Sequence, residues 1–344
     1  MKNYKKKYLA KTHGLLDKVQ DQNTYYGKRC LHCYEPLSEQ HSDFHEACNK
    51  RFFGQLKTPL LAYDLPDLQT LAMQVIQSQM AVTGVQAKIS LSLFRKEERN
   101  LTKKLTIVGL YGDYILKPPS EHYEQLPELE SATMHMAAVC GISVVPHSLV
   151  RLQDGTLCYI TKRVDRTRKG KLHMEDMCQL SERLTEDKYK GSHEQVAKLV
   201  LKYAAHPLLD VSNFYEQVLF SFFTGNADMH LKNFSLLERE GPSMSLCPAY
   251  DLVPTALVNL ADTEELALTL NGKKRKLKYE DFLTAYENCG LSKKVLDHTL
   301  ELFVYAKPEM EAVLEKSWVC EDLKVKFKAL IESRFTQLGL KNLT

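Results

Sequence analysis

Near residue 170 the spacing of apolar residues changes from the period of a strand to that of a helix, which limits the chain to few architectures. Before the change, residues 81–94 alternate, with Ile89, Leu91 and Leu93 on one face and Ser90 and Ser92 on the other. A second strand is expected over 111–117, stopped by Pro118-Pro119, and a strand pair over 142–151 and 156–163 around Asp154-Gly155. Helices are expected at 65–79, through Leu68, Leu71, Val75 and Ile76, and at 128–140, closed by Gly141. After the change the pattern predicts helices at 172–184, 192–205, 210–224, 279–289 and 293–337. A β-rich front followed by an α-rich back predicts an α+β fold of two lobes. The expected division is 1–56 as a polar arm and a Cys/His-rich unit, 57–168 as the N-terminal lobe and 169–344 as a helical C-terminal lobe.

Charge narrows the function only slightly. The balance of 46 Lys and Arg against 43 Asp and Glu leaves +3, too little to argue for direct binding of nucleic acid. No apolar run approaches the roughly 18–20 residues that span a bilayer, so no membrane association is expected. The basic N-terminus lacks the apolar stretch of a signal peptide, which makes a cytoplasmic location the expectation. Five of the nine cysteines (Cys140, Cys158, Cys178, Cys247 and Cys289) are scattered singly, as reduced core thiols would be.

The chemistry is concentrated in Gly225-Asn-Ala-Asp-Met-His-Leu-Lys-Asn-Phe234, which directly follows an apolar helix. Asp228 and Asn233 are separated by four residues, the spacing of the protein-kinase catalytic loop. Phosphoryl transfer needs a carboxylate that accepts or orients the attacking hydroxyl and an amide oxygen that helps hold magnesium. Downstream, Tyr250-Asp-Leu252 places Asp251 where a second magnesium ligand would stand. Upstream, Tyr114-Ile-Leu-Lys117 is an apolar strand ending in a lysine suited to phosphate, and Glu130 on the next helix is its natural partner. Taken singly, each is equally well a turn, a strand edge or a solvated helix start. Together they occur in kinase order on elements of the right type. Gly84-Val-Gln-Ala-Lys88 stands where a phosphate-cradling loop would, but with one glycine, so Gln86 and Lys88 would have to supply contacts that backbone amides usually make.

Seven segments, in order, resemble the motifs of the HipA-type serine/threonine kinases of bacterial toxin–antitoxin systems. They are Thr83-Gly-Val-Gln-Ala-Lys-Ile-Ser-Leu91, Tyr114-Ile-Leu-Lys-Pro118, Leu126-Pro-Glu-Leu-Glu130, Ile160-Thr-Lys-Arg-Val-Asp-Arg166, Glu175-Asp-Met-Cys-Gln179, Asn226-Ala-Asp-Met-His-Leu-Lys-Asn233 and Tyr250-Asp-Leu252. The resemblance covers roughly residues 60–340 and implies a bilobal protein-kinase-like fold, ATP with Mg2+, and phosphorylation of a protein serine or threonine. It further implies a DNA-binding antitoxin as partner and an aminoacyl-tRNA synthetase as a candidate substrate. Carried over, Lys117 and Glu130 become the phosphate-binding pair, Asp228 the catalytic base, and Asn233 and Asp251 the magnesium ligands. His230 and Lys232 would steady the transferring phosphate, with a hydrogen-bonded structural histidine as the alternative for His230. Thr83, Gly84, Val85, Gln86 and Lys88 would form the nucleotide loop, and the backbone around Lys162 and Val164 would hold adenine. Many members carry glutamate where Lys162 stands, and one or two autophosphorylated serines where this chain has Ala81 and Thr83. Only Thr83 keeps a hydroxyl there.

The chain is shorter at its N-terminus than full-length relatives and resembles the compact HipT branch, in which a separate small protein can supply the missing subdomain. In that place stand Cys30-Leu-His-Cys33 and His45-Glu-Ala-Cys48, two ligand pairs at a spacing that suits a structural Cys3His zinc site. His41 competes as a ligand, and a cluster of reduced thiols is the alternative. Two functions compete with the toxin kinase: a non-catalytic kinase-fold module in a repressor complex, and a kinase of small molecules or lipid headgroups.

Overall fold

The structure is a computed structural model that describes residues 29–39, 43–78, 88–94, 103–108, 112–167, 169–238, 241 and 243–340. Its elements in chain order begin with helices α1 (Glu46–Phe53) and α2 (Leu65–Ser78) and strands β1 (Ile89–Phe94), β2 (Lys104–Ile107) and β3 (Tyr114–Lys117). Helix α3 (Leu126–Val139) and strands β4 (His147–Arg151) and β5 (Leu157–Lys162) follow, then the short strands β6 (Arg166–Thr167), β7 (Gly170–Lys171) and β8 (Met174–Asp176). Next come α4 (Met177–Leu180), α5 (His193–Tyr203), α6 (Pro207–Thr224), β9 (Ser235–Glu238) and β10 (Met244–Leu246). The last elements are α7 (Thr255–Val258), α8 (Tyr279–Glu287), α9 (Lys293–Lys316) and α10 (Glu321–Gln337). The fold is α+β, as expected. An antiparallel sheet in the order β2-β1-β3-β5-β4 makes the front, and helices make most of the back.

Local chemistry sets the boundaries that matter for the site. Strand β3 stops where Pro118 removes the next backbone donor. Pro127 opens α3, where a missing N–H costs nothing, and Gly141 (φ +83°) lies just past its end. Helix α3 packs on β4 and β5, and α9 packs on α3, so the helical half is joined to the sheet through α3. Helix α6 is apolar around most of its circumference and therefore lies inside, between α5 and α10. Phe223 contacts Phe335 with ring centroids 4.3 Å apart and Phe303 at 5.2 Å. Gly225 ends the helix at φ +69°, and a Cβ there would come within 2.6 Å of the Leu330 side chain, so glycine is required twice over.

Three sequence expectations need correction. The helix expected at 172–184 is strand β8 followed by the four-residue α4, because Asp176 accepts from the Gln179 amide and starts a helix at Met177. The single helix expected at 293–337 is two, broken at Ser317, whose buried hydroxyl donates to the Leu314 carbonyl and accepts from the Val319 amide. The hairpin β9–β10 was not expected; its strands join β8 in a three-stranded sheet.

His193, the first residue of α5, is fully buried between Phe214 and Phe234, and neither ring nitrogen has a hydrogen-bond partner among the described residues. Burial pushes its pKa down to about 3. A depressed histidine pKa means that its share of stability is complete above the unfolded value of 6.5 and is lost as pH falls toward 3. His193→Leu is expected to raise stability at pH 7 by about 1–3 kcal/mol, since two orphaned polar atoms disappear. The gain over wild type should widen as pH falls from 6.5 to 4, read as urea midpoints along the series.

Candidate active site

Strand β3 delivers Lys117 into the interior, where it is 3% exposed. A lone ammonium there would be untenable, and two carboxylates meet it. Its Nζ donates to Glu130 Oε1 at 2.6 Å and Oε2 at 2.8 Å, and also to Asp251 Oδ1. Glu130 is 1% exposed on α3, one residue from the fully buried Leu129, so the packing of that helix fixes the carboxylate. Burial pushes Glu130 up to about 7, although Lys117 pulls the other way. Burial favours the neutral form of Lys117, but Asp251 and Glu130 outweigh it and its pKa is raised. Burial would likewise raise Asp251, yet Lys117 and Lys88 hold it well below the usual carboxylate range.

Asp251 adopts φ +61°, a left-handed conformation in which Asp and Asn are among the few tolerated residues. Parallel bridging fixes its approach: the Val145 amide donates to Ala249 O at 3.0 Å and the Ala249 amide to Ser143 O at 2.7 Å. Lys88, at the start of β1, reaches the second carboxylate oxygen at 3.0 Å.

The 225–233 loop is tied to itself. The His230 amide donates to Asp228 O at 2.8 Å, the Asn233 amide to His230 O at 2.9 Å, and Asn233 Nδ2 to Asp228 O at 2.9 Å. Asp228 Oδ1 accepts from the Tyr189 hydroxyl at 2.6 Å. Lys232 is paired with Asp176 at 2.7 Å. His230 is buried with the Tyr189 ring edge-on at 5.1 Å, its Nδ1 has no partner among the described residues, and burial pushes it down to about 4, so it is neutral at pH 7.

A cavity of about 510 Å3 runs between sheet and helices. Ile115, Val145, Thr161, Lys162, Arg163 and Val164 line it, as do Lys88, Lys117, Glu130 and Asp251. Lys232, Asp176, Gln179, Ser235 and Tyr250 also line it, whereas Asp228, His230 and Asn233 are not part of the lining. The structure therefore brings together Lys88, Lys117, Glu130, Lys162, Val164, Lys232 and Asp251 along one cavity. Thr83, Gly84, Val85 and Gln86 lie outside the described residues, as does His41. The sequence placed Asp176 within the Glu175–Gln179 motif but gave it no role, and for Tyr189 no local signal exists. Away from the cavity, the ligand atoms of Cys30, Cys33, His45 and Cys48 lie within 4.8 Å of one another. Among the described residues no helix is long and apolar enough to cross a membrane.

Comparison with known proteins gives this geometry a family. A kinase-designated protein of Sinorhizobium fredii, "Putative kinase Y4dM", is 30% identical over 234 residues, which is 64% of this chain and 56% of the relative. The chain thus spans little more than half the length of that relative. A "Putative kinase" of Haemophilus influenzae is 28% identical over 274 residues, 71% of this chain and 77% of the relative. Among solved structures, HipA of Shewanella oneidensis MR-1, in a toxin–antitoxin complex with HipB and operator DNA, superposes with a TM-score of 0.62 at 19% identity. That superposition covers 96% of this chain and 82% of the other, and it shows a shared fold. The HipA-like C-terminal domain family matches residues 80–311, the stretch that carries Lys88, Lys117, Glu130, Asp228, Asn233 and Asp251, and the chain belongs to that family.

Proposed function

We propose that the chain is an ATP- and magnesium-dependent serine/threonine protein kinase that acts as the toxin of a toxin–antitoxin system. The observation that carries this is the single cleft in which Lys117 is held by Glu130 and Asp251, with the Asp228–Asn233 loop beside it. The cavity volume lies within the roughly 300–1,000 Å3 of ordinary small-molecule sites, so a nucleotide fits. Its apolar lining residues Ile115, Val145 and Val164 suit a base. Lys117 and Lys88 supply positive charge for phosphates, with Lys117 prevented from swinging away by Glu130. The Asp251 carboxylate and the Asn233 amide oxygen are hard oxygen donors of the kind magnesium takes. Bound magnesium would neutralise charge on the transferring phosphate.

Asp228 acts as the base. Its Oδ1 already accepts a hydroxyl proton donor at 2.6 Å, the contact a substrate serine or threonine would make in place of Tyr189. Lys232 lies within the same cleft and steadies negative charge, and neutral His230 can donate one hydrogen bond without adding charge. Thr83 is the hydroxyl available for autophosphorylation on the nucleotide loop. The partners in this reading are a DNA-binding antitoxin, by analogy with the HipB of the Shewanella complex, a small protein supplying an N-terminal subdomain, and a protein substrate such as an aminoacyl-tRNA synthetase.

Purified protein incubated with γ-labelled ATP, magnesium and a cell lysate should transfer label to a protein serine or threonine. Asp228→Asn should lower the rate about 10²-fold or more, the usual contribution of a general base. Label appearing only in lipid or small molecules would move the reading to another kinase class. Nucleotide binding without any transfer would leave the non-catalytic module.

A further inference from the structure

We infer that Cys30, Cys33, His45 and Cys48 bind one structural zinc ion, and that this metal clamps the segment from Arg29 through α1 onto helix α3, setting the position of Glu130. The ligand geometry comes first. Cys33 Sγ lies 3.4 Å from His45 Nδ1 and Cys48 Sγ 3.8 Å from it. For Zn–S of about 2.3 Å and Zn–N of about 2.0 Å, the S–N edge of a tetrahedron is about 3.5 Å, and the two separations bracket it. His45 Nε2 donates to the Pro36 carbonyl at 2.9 Å, which leaves the Nδ1 lone pair directed at the thiols. Tyr34, directly after Cys33, turns at φ +64°, and its amide donates to Cys30 O at 2.9 Å, folding the Cys-x-x-Cys loop around one point. Three sulfurs and one imidazole suit zinc, and four protein ligands leave no position for a substrate.

The segment is too short to stabilise itself by core burial, so its order depends on a clamp and on docking. Helix α1 docks on β3, with the Phe52 ring 5.7 Å from that of Tyr114, and the Cys30–Tyr34 loop docks on α3. The Tyr34 hydroxyl bonds Ser131 Oγ at 2.6 Å, immediately next to Glu130, and the Tyr34 ring stacks on His135 at 4.5 Å. His135 Nε2 donates to His32 O at 2.7 Å. Leu31 O accepts from the Leu149 amide at 3.2 Å, which ties the Cys30–Cys33 loop to β4 as well. Removing the metal would release the loop that carries Leu31, His32 and Tyr34. Helix α3 would then lose a buried hydroxyl pair and a ring stack on the face beside Glu130.

The test does not depend on phosphoryl transfer and so stands or falls separately from the kinase reading. Elemental analysis of freshly purified full-length protein should give about one zinc per chain, and cobalt(II) added to reduced, metal-free protein should produce the absorption of a tetrahedral thiolate site. No zinc together with no cobalt absorption removes the site. Hydrogen exchange then addresses the clamp: chelation should speed amide exchange in Leu126–Val139 about tenfold or more, reversed by zinc. Tyr34→Phe should keep the zinc stoichiometry yet speed exchange in the same helix. Unchanged α3 protection on chelation and in Tyr34→Phe would overturn the clamp even with zinc bound.

Discussion

Asp251→Asn is expected to lower phosphoryl transfer on the order of 10³-fold or more while leaving the fold intact. The loss follows from the carboxylate's position, because it is the charged oxygen donor that faces Lys117 and Lys88 in the cleft. An amide there cannot carry the negative charge that holds a divalent ion against phosphate, a term worth several kcal/mol in the transition state. Stability should change little, since Lys117 keeps Glu130 at 2.6 Å and asparagine tolerates the φ of +61°. Asp251→Ala should lose activity equally but also cost about 1–2 kcal/mol, because alanine in a left-handed conformation is strained. Rates with labelled ATP and urea midpoints on the same preparations separate the two effects. Wild-type transfer by the asparagine variant would refute the metal-ligand assignment.

Lys117→Met should be among the most destabilising single changes in the protein, and its cost should depend on pH in a defined direction. Breaking a buried pair by removing one partner typically costs about 3–5 kcal/mol, because the remaining charge stays buried. Two carboxylates stay behind: Asp251, which keeps Lys88 at 3.0 Å, and Glu130, 1% exposed and already pushed up to about 7. A carboxyl whose folded pKa is raised contributes full stability below its unfolded value of 4.5 and loses it as pH rises through the folded pKa. In wild type Lys117 halts that loss near pH 7. In the variant the pKa moves higher, and stability continues to fall by about 1.4 kcal/mol per pH unit. The gap between variant and wild type should therefore be present and nearly constant from pH 5 to 7, where Asp251 is already charged, and widen by up to about 1.4 kcal/mol between pH 7 and 8. Adding Glu130→Gln to Lys117→Met should flatten the slope and recover much of the stability. A gap independent of pH between 5 and 8 would show that Glu130 is not the charge left behind.

Much of this site was legible from residue order because its parts are announced locally. An apolar strand stopped by Pro118 ends in Lys117, and a helix opened by Pro127 carries Glu130 one residue from the buried Leu129. The apolar α6 closed by Gly225 delivers a loop with Asp228 and Asn233 at fixed spacing, and the spacing of Cys-x-x-Cys and His-x-x-Cys marks a group that the fold brings within 4.8 Å. Each signal lies within a few residues, where backbone sterics, capping and periodicity act. Other features gave no such signal. Strands β8, β9 and β10 are three or four residues long, too short for a period to register. Strand β8 is held by pairing with residues about sixty positions away, such as Glu175 with Leu236, and β10 by the adjacent β9. The break at Ser317 depends on a hydroxyl that is satisfied only once buried. Sequence by itself determined the α+β class and the order and identity of the charged groups, because these follow from local stereochemistry and composition. Only the tertiary structure decided that Lys88 meets Asp251, that Tyr189 meets Asp228 and that Asp176 meets Lys232. Those contacts join distant segments that are brought together by burying α3 and α6, and no local preference encodes them.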